Sequence, residues 1–289
     1  MTASGEDQRL LFGISPGMDA SAATQSTPSA ASPSTARFAA RLAGSTGHDL
    51  SVDGYWRPVI GLAEAAQRGW ALSLRVRTAG GGGPRAISLE SLNIVDRERV
   101  NLAALRQSLG VLAAASSQSP APVAIVPIAW ACAKSERTRR DLLRLAGQFR
   151  AARQVIPFAE IVDLEPGAPS AAVAEVVASL KPIFGGVLVR LASPHDDVRR
   201  LMGRGFAGAA LDSGLVELSP DRPILSGVVA LLKAVGPTVM LQDLNAVASL
   251  EAARDAGVAW ASLDLSRSGW HLVQAGLEAL RRPPERRDD

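Results

Sequence analysis

The chain has a single cysteine, Cys132, among its 289 residues. One cysteine excludes an intrachain disulfide and any cysteine-rich metal site, and it fits a reducing compartment. Its expected role is that of a small buried apolar side chain. Histidine is almost as scarce: His48, His195 and His271 are scattered, with no His-x-x-x-His pair, so a zinc enzyme is not expected. Aromatic residues make up only 4% of the chain, which leaves few stacking platforms for nucleic acid. An excess of one charge is lacking too, because 31 basic residues face 28 acidic ones for a net charge of +3. No apolar run approaches the roughly 18 residues that span a bilayer. The opening, MTASGEDQRLLFG, has no basic region followed by a long apolar run, so no signal peptide is expected. These absences predict a soluble, cytoplasmic protein that binds neither nucleic acid nor membrane.

What is present is an apolar fraction of 47%, enough to fill a core. Residues 14–36 are rich in Ser, Ala, Thr and Pro and carry little to bury. A flexible tail is therefore expected over residues 1–48, with a brief helical pattern at Arg37–Leu42. Residues 49–280 form the folded domain, and 281–289 form a charged, proline-broken end. Inside the domain, short β-rich runs alternate with helical patterns. The expected strands are Tyr55–Gly61, Trp70–Arg77, Val123–Ala129, Val155–Val162, Gly186–Leu191, Gly208–Asp212, Thr238–Gln242 and Trp260–Asp264. Helical spacing covers Asn101–Ser116, Glu136–Arg153, Ala171–Leu180, Asp196–Arg204, Ile224–Val235 and Ala246–Ala256. Ser135 and Asn245 stand where helix N-caps should, and Gly205, Gly236 and Gly257 where helices should end. Repeated strand–helix alternation predicts parallel strands joined by right-handed crossovers. Eight strands favour an α/β fold of the TIM-type (β/α)8 barrel. An open doubly wound sheet is the alternative, without a G-x-G-x-x-G to support it.

The strands carry a resemblance. YWRPVIGL from Tyr55 resembles the opening strand of EAL domains, Y-Q-P-I-V-D-L, and WALSLRVR resembles their second strand, E-A-L-L-R. VAIVPIAWA sits where that family has V-N-L-S, AEIVDLEPG where it has E-L-T-E, and GVLVRLASP where it has D-D-F-G. GFAGAALD and TVMLQDLNAVASLEAARDAGVAWASLDL continue the order to about Leu265. The resemblance is one of spacing and apolar register. It implies a barrel of the cyclic di-GMP phosphodiesterase family, whose active members use two divalent metals held by strand-end carboxylates and one Asn.

Carried over residue by residue, the site has lost most of its ligands. The Glu of E-A-L falls on Ala71 or Trp70, and the Asn of V-N-L-S on Pro127. The first Glu of E-L-T-E is kept as Glu160, and the second becomes Asp163. The paired aspartates fall on Arg190 and Leu191, and the catalytic Lys on Ala210, while Asp212 is kept. Two later glutamates become Gln242 and Asn245. The substrate-side Gln becomes Arg57, and Arg75 is kept. One strong ligand cannot hold two divalent ions, and Arg190 would repel them. The resemblance therefore implies no catalytic residues, no bound metal and no cofactor.

Glu160 and Arg190 are expected on adjacent strands, with the guanidinium standing in for the absent metal. The alternative is an Arg190 that points outward. Arg57, Arg75 and Arg190 could form an anion-binding mouth, or could be spent on salt bridges to Glu160, Asp212 or Asp264; Glu160, Asp212 and Gln242 complete the set of candidate ligand-binding residues. The arginines at 137, 140 and 144 read as one solvated helix face, and Gly80–Gly83 as a mobile βα loop that is no P-loop. The expected function is a non-catalytic EAL-like domain in bacterial signalling that acts through an unidentified protein partner. The alternatives are a cyclic di-GMP receptor, a residual phosphodiesterase, an unrelated barrel enzyme or a scaffold. Homodimerisation stays open.

Overall fold

The computed structural model describes residues 37–282 except 81–82, 88, 116–121, 152–155, 194–197, 215–221 and 265–270. The strands are β1 (Arg37–Ala43), β2 (Asp49–Gly61), β3 (Ala66–Gly80), β4 (Gly83–Ile87), β5 (Val123–Ala129) and β6 (Ile156–Val162). They continue as β7 (Gly186–Leu191), β8 (Gly208–Asp212), β9 (Thr238–Leu244) and β10 (Trp260–Leu263). The helices are α1 (Ile94–Ala115), α2 (Trp130–Lys134), α3 (Glu136–Ala151), α4 (Ser170–Leu180), α5 (Arg222–Lys233), α6 (Val247–Asp255) and α7 (His271–Arg281).

One sheet runs β1-β2-β10-β9-β8-β7-β6-β5-β3-β4, and a further β2–β3 pairing closes eight of its strands into a barrel. β3 and β5 through β10 follow the parallel rule, but β2 is antiparallel to both β3 and β10. The expectation of parallel strands throughout is corrected here. Only residues 62–65 separate β2 from β3, whereas a parallel crossover needs about a dozen residues or more. The chain has to turn straight back.

β2 and β3, at 13 and 15 residues, are far longer than the other barrel strands. Their halves near the turn close the barrel, Val59–Gly61 against β10 and Gly69–Ala71 against β5. Their other halves project past the barrel's C-terminal face and pair with β1 and β4 as a four-stranded antiparallel sheet. The helical pattern expected at Arg37–Leu42 is thus a strand, lying inside the stretch read as tail. Its alternation puts Ala40 and Leu42 on the core side and Arg41 in solvent, a period of two. Likewise, Gly80 and Gly83 pair across a β3–β4 hairpin instead of opening a βα loop. The helix expected at Asp196–Arg204 is only a 3-10 turn at Val198–Leu201 among the described residues.

Two apolar layers hold the barrel. Inside lie Val59, Ala71, Ile125, Leu188, Ala210 and Met240, capped at the lower end by Phe158 and Trp260, whose rings meet edge-on at 5.4 Å. The alternate residues, such as Ile128, Ile161, Val189 and Leu241, face outward under the helices in the larger core. Truncating one of these, Ile161 for example, costs about 2–5 kcal/mol by the usual measure for a filled core.

Ser135 does cap α3, its hydroxyl accepting the Thr138 N–H at 3.4 Å. Asn245 does not cap α6, which starts after Ala246 without a side-chain cap. Gly257 ends α6 with φ of +82°, the left-handed C′ geometry. Gly236 serves closeness instead: a Cβ there would lie 2.7 Å from the Phe206 carbonyl oxygen.

The projecting sheet is pinned to α1. Asp96, in the first turn of α1, accepts the N–H of Ser45 at 2.8 Å and its hydroxyl at 3.0 Å, and Asn93 also donates to it at 2.8 Å. Arg99 reaches the Ala43 carbonyl at 2.7 Å.

Candidate functional site at the barrel mouth

Period-two alternation along each strand sends one more layer of side chains inward above the apolar core. That layer includes Arg57 on β2, Ser73 on β3, Pro127 on β5, Glu160 on β6, Arg190 on β7, Asp212 on β8 and Gln242 on β9. Glu160 is at the centre of it. Its side chain is 1% exposed, and Arg190 Nη2 donates to Oε2 at 2.6 Å. Gln242 Nε2 donates to the other oxygen, Oε1, at 2.5 Å. Arg190 points inward, so the ion-pair reading holds and the outward one does not. The Arg190 side chain as a whole stays 38% exposed. Burial works against its charge, but Glu160 beside it and the fields of Asp212 and Asp163 more than offset this. The proton is held above the ordinary arginine range.

A second cluster gathers on β2. Arg57 Nη2 donates to the Tyr55 hydroxyl at 2.7 Å, and its Nη1 forms an ion pair with Asp243. The guanidinium carbons of Arg57 and Arg75 lie 5.0 and 5.1 Å from the Tyr55 ring centroid, within cation–π range. Burial alone would raise the Tyr55 phenol. A hydrogen bond with Ser73 and the charges of Arg57 and Arg75 overcome it and leave the group below its usual value.

Of the expected site residues, Glu160, Arg190 and Gln242 are brought into one network, and Arg57 with Arg75 into another. Asp212 joins neither by a direct contact; it is exposed and accepts the Gly214 N–H at 2.9 Å. Tyr55 and Asp243 were not expected. Asp243 should face away from the mouth, since it follows inward Gln242. A bulge between β9 and β10 and a φ of +65° turn it round, with its N–H on the Ser262 hydroxyl and its carbonyl on that of Ser213. Nothing in the sequence signals that bulge.

Beside the mouth, a cleft of about 220 Å³ is lined by Ser73, Pro127, Asp163 and Arg190 and by apolar residues of β3 and β4. Ligand pockets more often enclose about 300–1,000 Å³.

No family model matches the chain, and no curated protein sequence matches it. Solved structures do. The YkuI protein of Bacillus subtilis, with an EAL domain and in complex with c-di-GMP and calcium, is similar at a TM-score of 0.59 and 13% identity. The match covers 78% of this chain and 59% of that one, so the chain spans less than two thirds of its length. A standalone EAL protein from Vibrio cholerae O395 in its c-di-GMP bound form matches at 0.55 and 16% identity, over 72% of this chain and 87% of that one. The FimX EAL domain of Pseudomonas aeruginosa, bound to c-di-GMP, matches at 0.54 and 14%, over 72% and 86%. The fold is that of EAL domains.

In this EAL-type barrel the positions that resemble the family's metal ligands do not fit two divalent ions. Ala71 lies in the inner apolar layer and Trp70 in the outer core, so neither alternative supplies an oxygen. Pro127 pairs directly with Glu160 across β5 and β6 and has no donor atom to offer. Both Glu160 oxygens are already engaged. Among the described residues no group of three or more His, Cys, Asp or Glu side chains could hold a metal. None of their helices is long and apolar enough to cross a membrane.

Proposed function

We propose that this chain is a non-catalytic EAL-type barrel that works in a signalling circuit by binding another protein. One observation carries the loss of catalysis. The retained carboxylate, Glu160, is 1% exposed and bonded at both oxygens, by a cation and by an amide. A metal would have to displace Arg190, leaving two cationic centres a few ångströms apart in a site of low dielectric, a repulsion of several kcal/mol. The EAL-type barrel persists without the reaction, which favours a role for its surface. A pull-down with the full chain and with residues 37–289 tests this: capture of a partner by the barrel supports it, and capture that needs residues 1–36 contradicts it.

A second reading is a cyclic di-GMP receptor. Arg57 and Arg75 beside Tyr55 favour it, together with the bound c-di-GMP of the three similar structures. Against it stand the Arg57–Asp243 and Arg190–Glu160 pairs, which spend two of the three cations internally. Calorimetry with cyclic di-GMP separates the readings; heat in the micromolar range favours the receptor.

A further inference from the structure

The sheet above the mouth ends on two edges, and they differ. β4 is five residues long and contains Pro84, which has no N–H to offer a partner strand. β1 is seven residues long, has no proline, and pairs only with β2 among the described residues.

The direction of β1's free groups follows from its turn. The Gly44 N–H donates to the His48 carbonyl at 2.9 Å, and Leu42 and Ala40 sit opposite Leu50 and Val52. Alternation then turns the backbone groups of Phe38, Ala40 and Leu42 toward β2 and those of Arg37, Ala39, Arg41 and Ala43 outward. The Ala43 carbonyl accepts from Arg99 at 2.7 Å, as an outward group can. Ala39 and Arg41 are both exposed.

We propose that β1 pairs antiparallel with β1 of a second copy of this chain, about a two-fold axis at Ala40. An isologous pair must join outward groups to outward groups, which leaves few registers. An axis at Ala39 sets Arg37 opposite Arg41, and an axis at Arg41 sets Arg41 opposite itself. Like charges directly opposed destabilise a strand pair. The axis at Ala40 puts every arginine opposite an alanine and joins the copies through the outward groups of Ala39 and Arg41, while the Ala43 carbonyl stays with Arg99. It also puts Phe38 opposite Leu42. The two four-stranded sheets would join into one. This goes beyond the function proposed above and does not depend on the mouth.

Sedimentation of the full chain over a concentration series tests it. The wild type is expected to pass from monomer to dimer in the micromolar range. Ala39→Pro removes an outward N–H and leaves the β1–β2 bonds alone, so it should sediment as a folded monomer, with its circular dichroism unchanged. Ala39→Glu would face Arg41 of the other copy twice and tighten the dimer roughly threefold to tenfold; Ala39→Arg should weaken it. A wild type that stays monomeric throughout, a dimer that survives Ala39→Pro, or a dimer loosened by Ala39→Glu overturns the proposal.

Discussion

Arg190 and Glu160 form the central ion pair of the barrel mouth, 2.6 Å apart on adjacent strands, and Gln242 closes the carboxylate's other side at 2.5 Å. Breaking such a pair from the cationic side strands a charge in the interior, whereas replacing both partners does not. Arg190→Met is therefore expected to lower stability by about 3–5 kcal/mol, and the double variant Arg190→Met/Glu160→Gln to recover most of that loss. Denaturant unfolding of the two variants checks it; equal losses would mean that the carboxylate is not buried with a full charge.

Tyr55 is the single tyrosine of the chain, so its phenol can be titrated alone. Its midpoint in the native protein is expected below the ordinary value of about 10. Arg57→Ala and Arg75→Ala should each move it upward, because each removes a charge that favours phenolate. Ultraviolet phenolate titration reads the shift.

The Asp96 clamp should appear in acid. Burial raises its carboxyl, but the Ser45 and Asn93 hydrogen bonds outweigh burial and hold it below the usual range. A folded-state pKa below the unfolded one stabilises the fold above the unfolded value near 4. That contribution is lost as pH falls through the folded value. Asp96→Ala is expected to cost about 1–3 kcal/mol at neutral pH and less near pH 3. Thermal melts at both pH values measure the difference.

Cys132 is fully buried on α2, and burial, with Glu98 adding to it, pushes the thiol up to about 12. The thiolate is the reactive form. A thiol reagent at neutral pH should leave the native protein unmodified and label it fully once it is unfolded.

Much of the barrel is legible in the sequence because its strands obey one simple rule. β5, β7 and β8 match their expected bounds, since an unbroken apolar run between turn residues leaves little choice. The alternation that places Glu160 inward also places Arg190 and Gln242 inward, so the ion pair could be foreseen from parity. Other features lie beyond such rules. β1 is short and alanine-rich and becomes a strand only because β2 overshoots the barrel and offers it an edge. The antiparallel β2 follows from the length of a turn. Asp243 reaches Arg57 only through a backbone bulge, a tertiary event without a local mark.

Incubation of the full chain with cyclic di-GMP and Mg²⁺ or Mn²⁺, followed by chromatography for the linear dinucleotide, tests the central claim most directly. An intact substrate is the predicted result. Release of linear product that is abolished by Glu160→Gln would contradict it, because the carboxylate held by Arg190 and Gln242 would then be free to serve a metal.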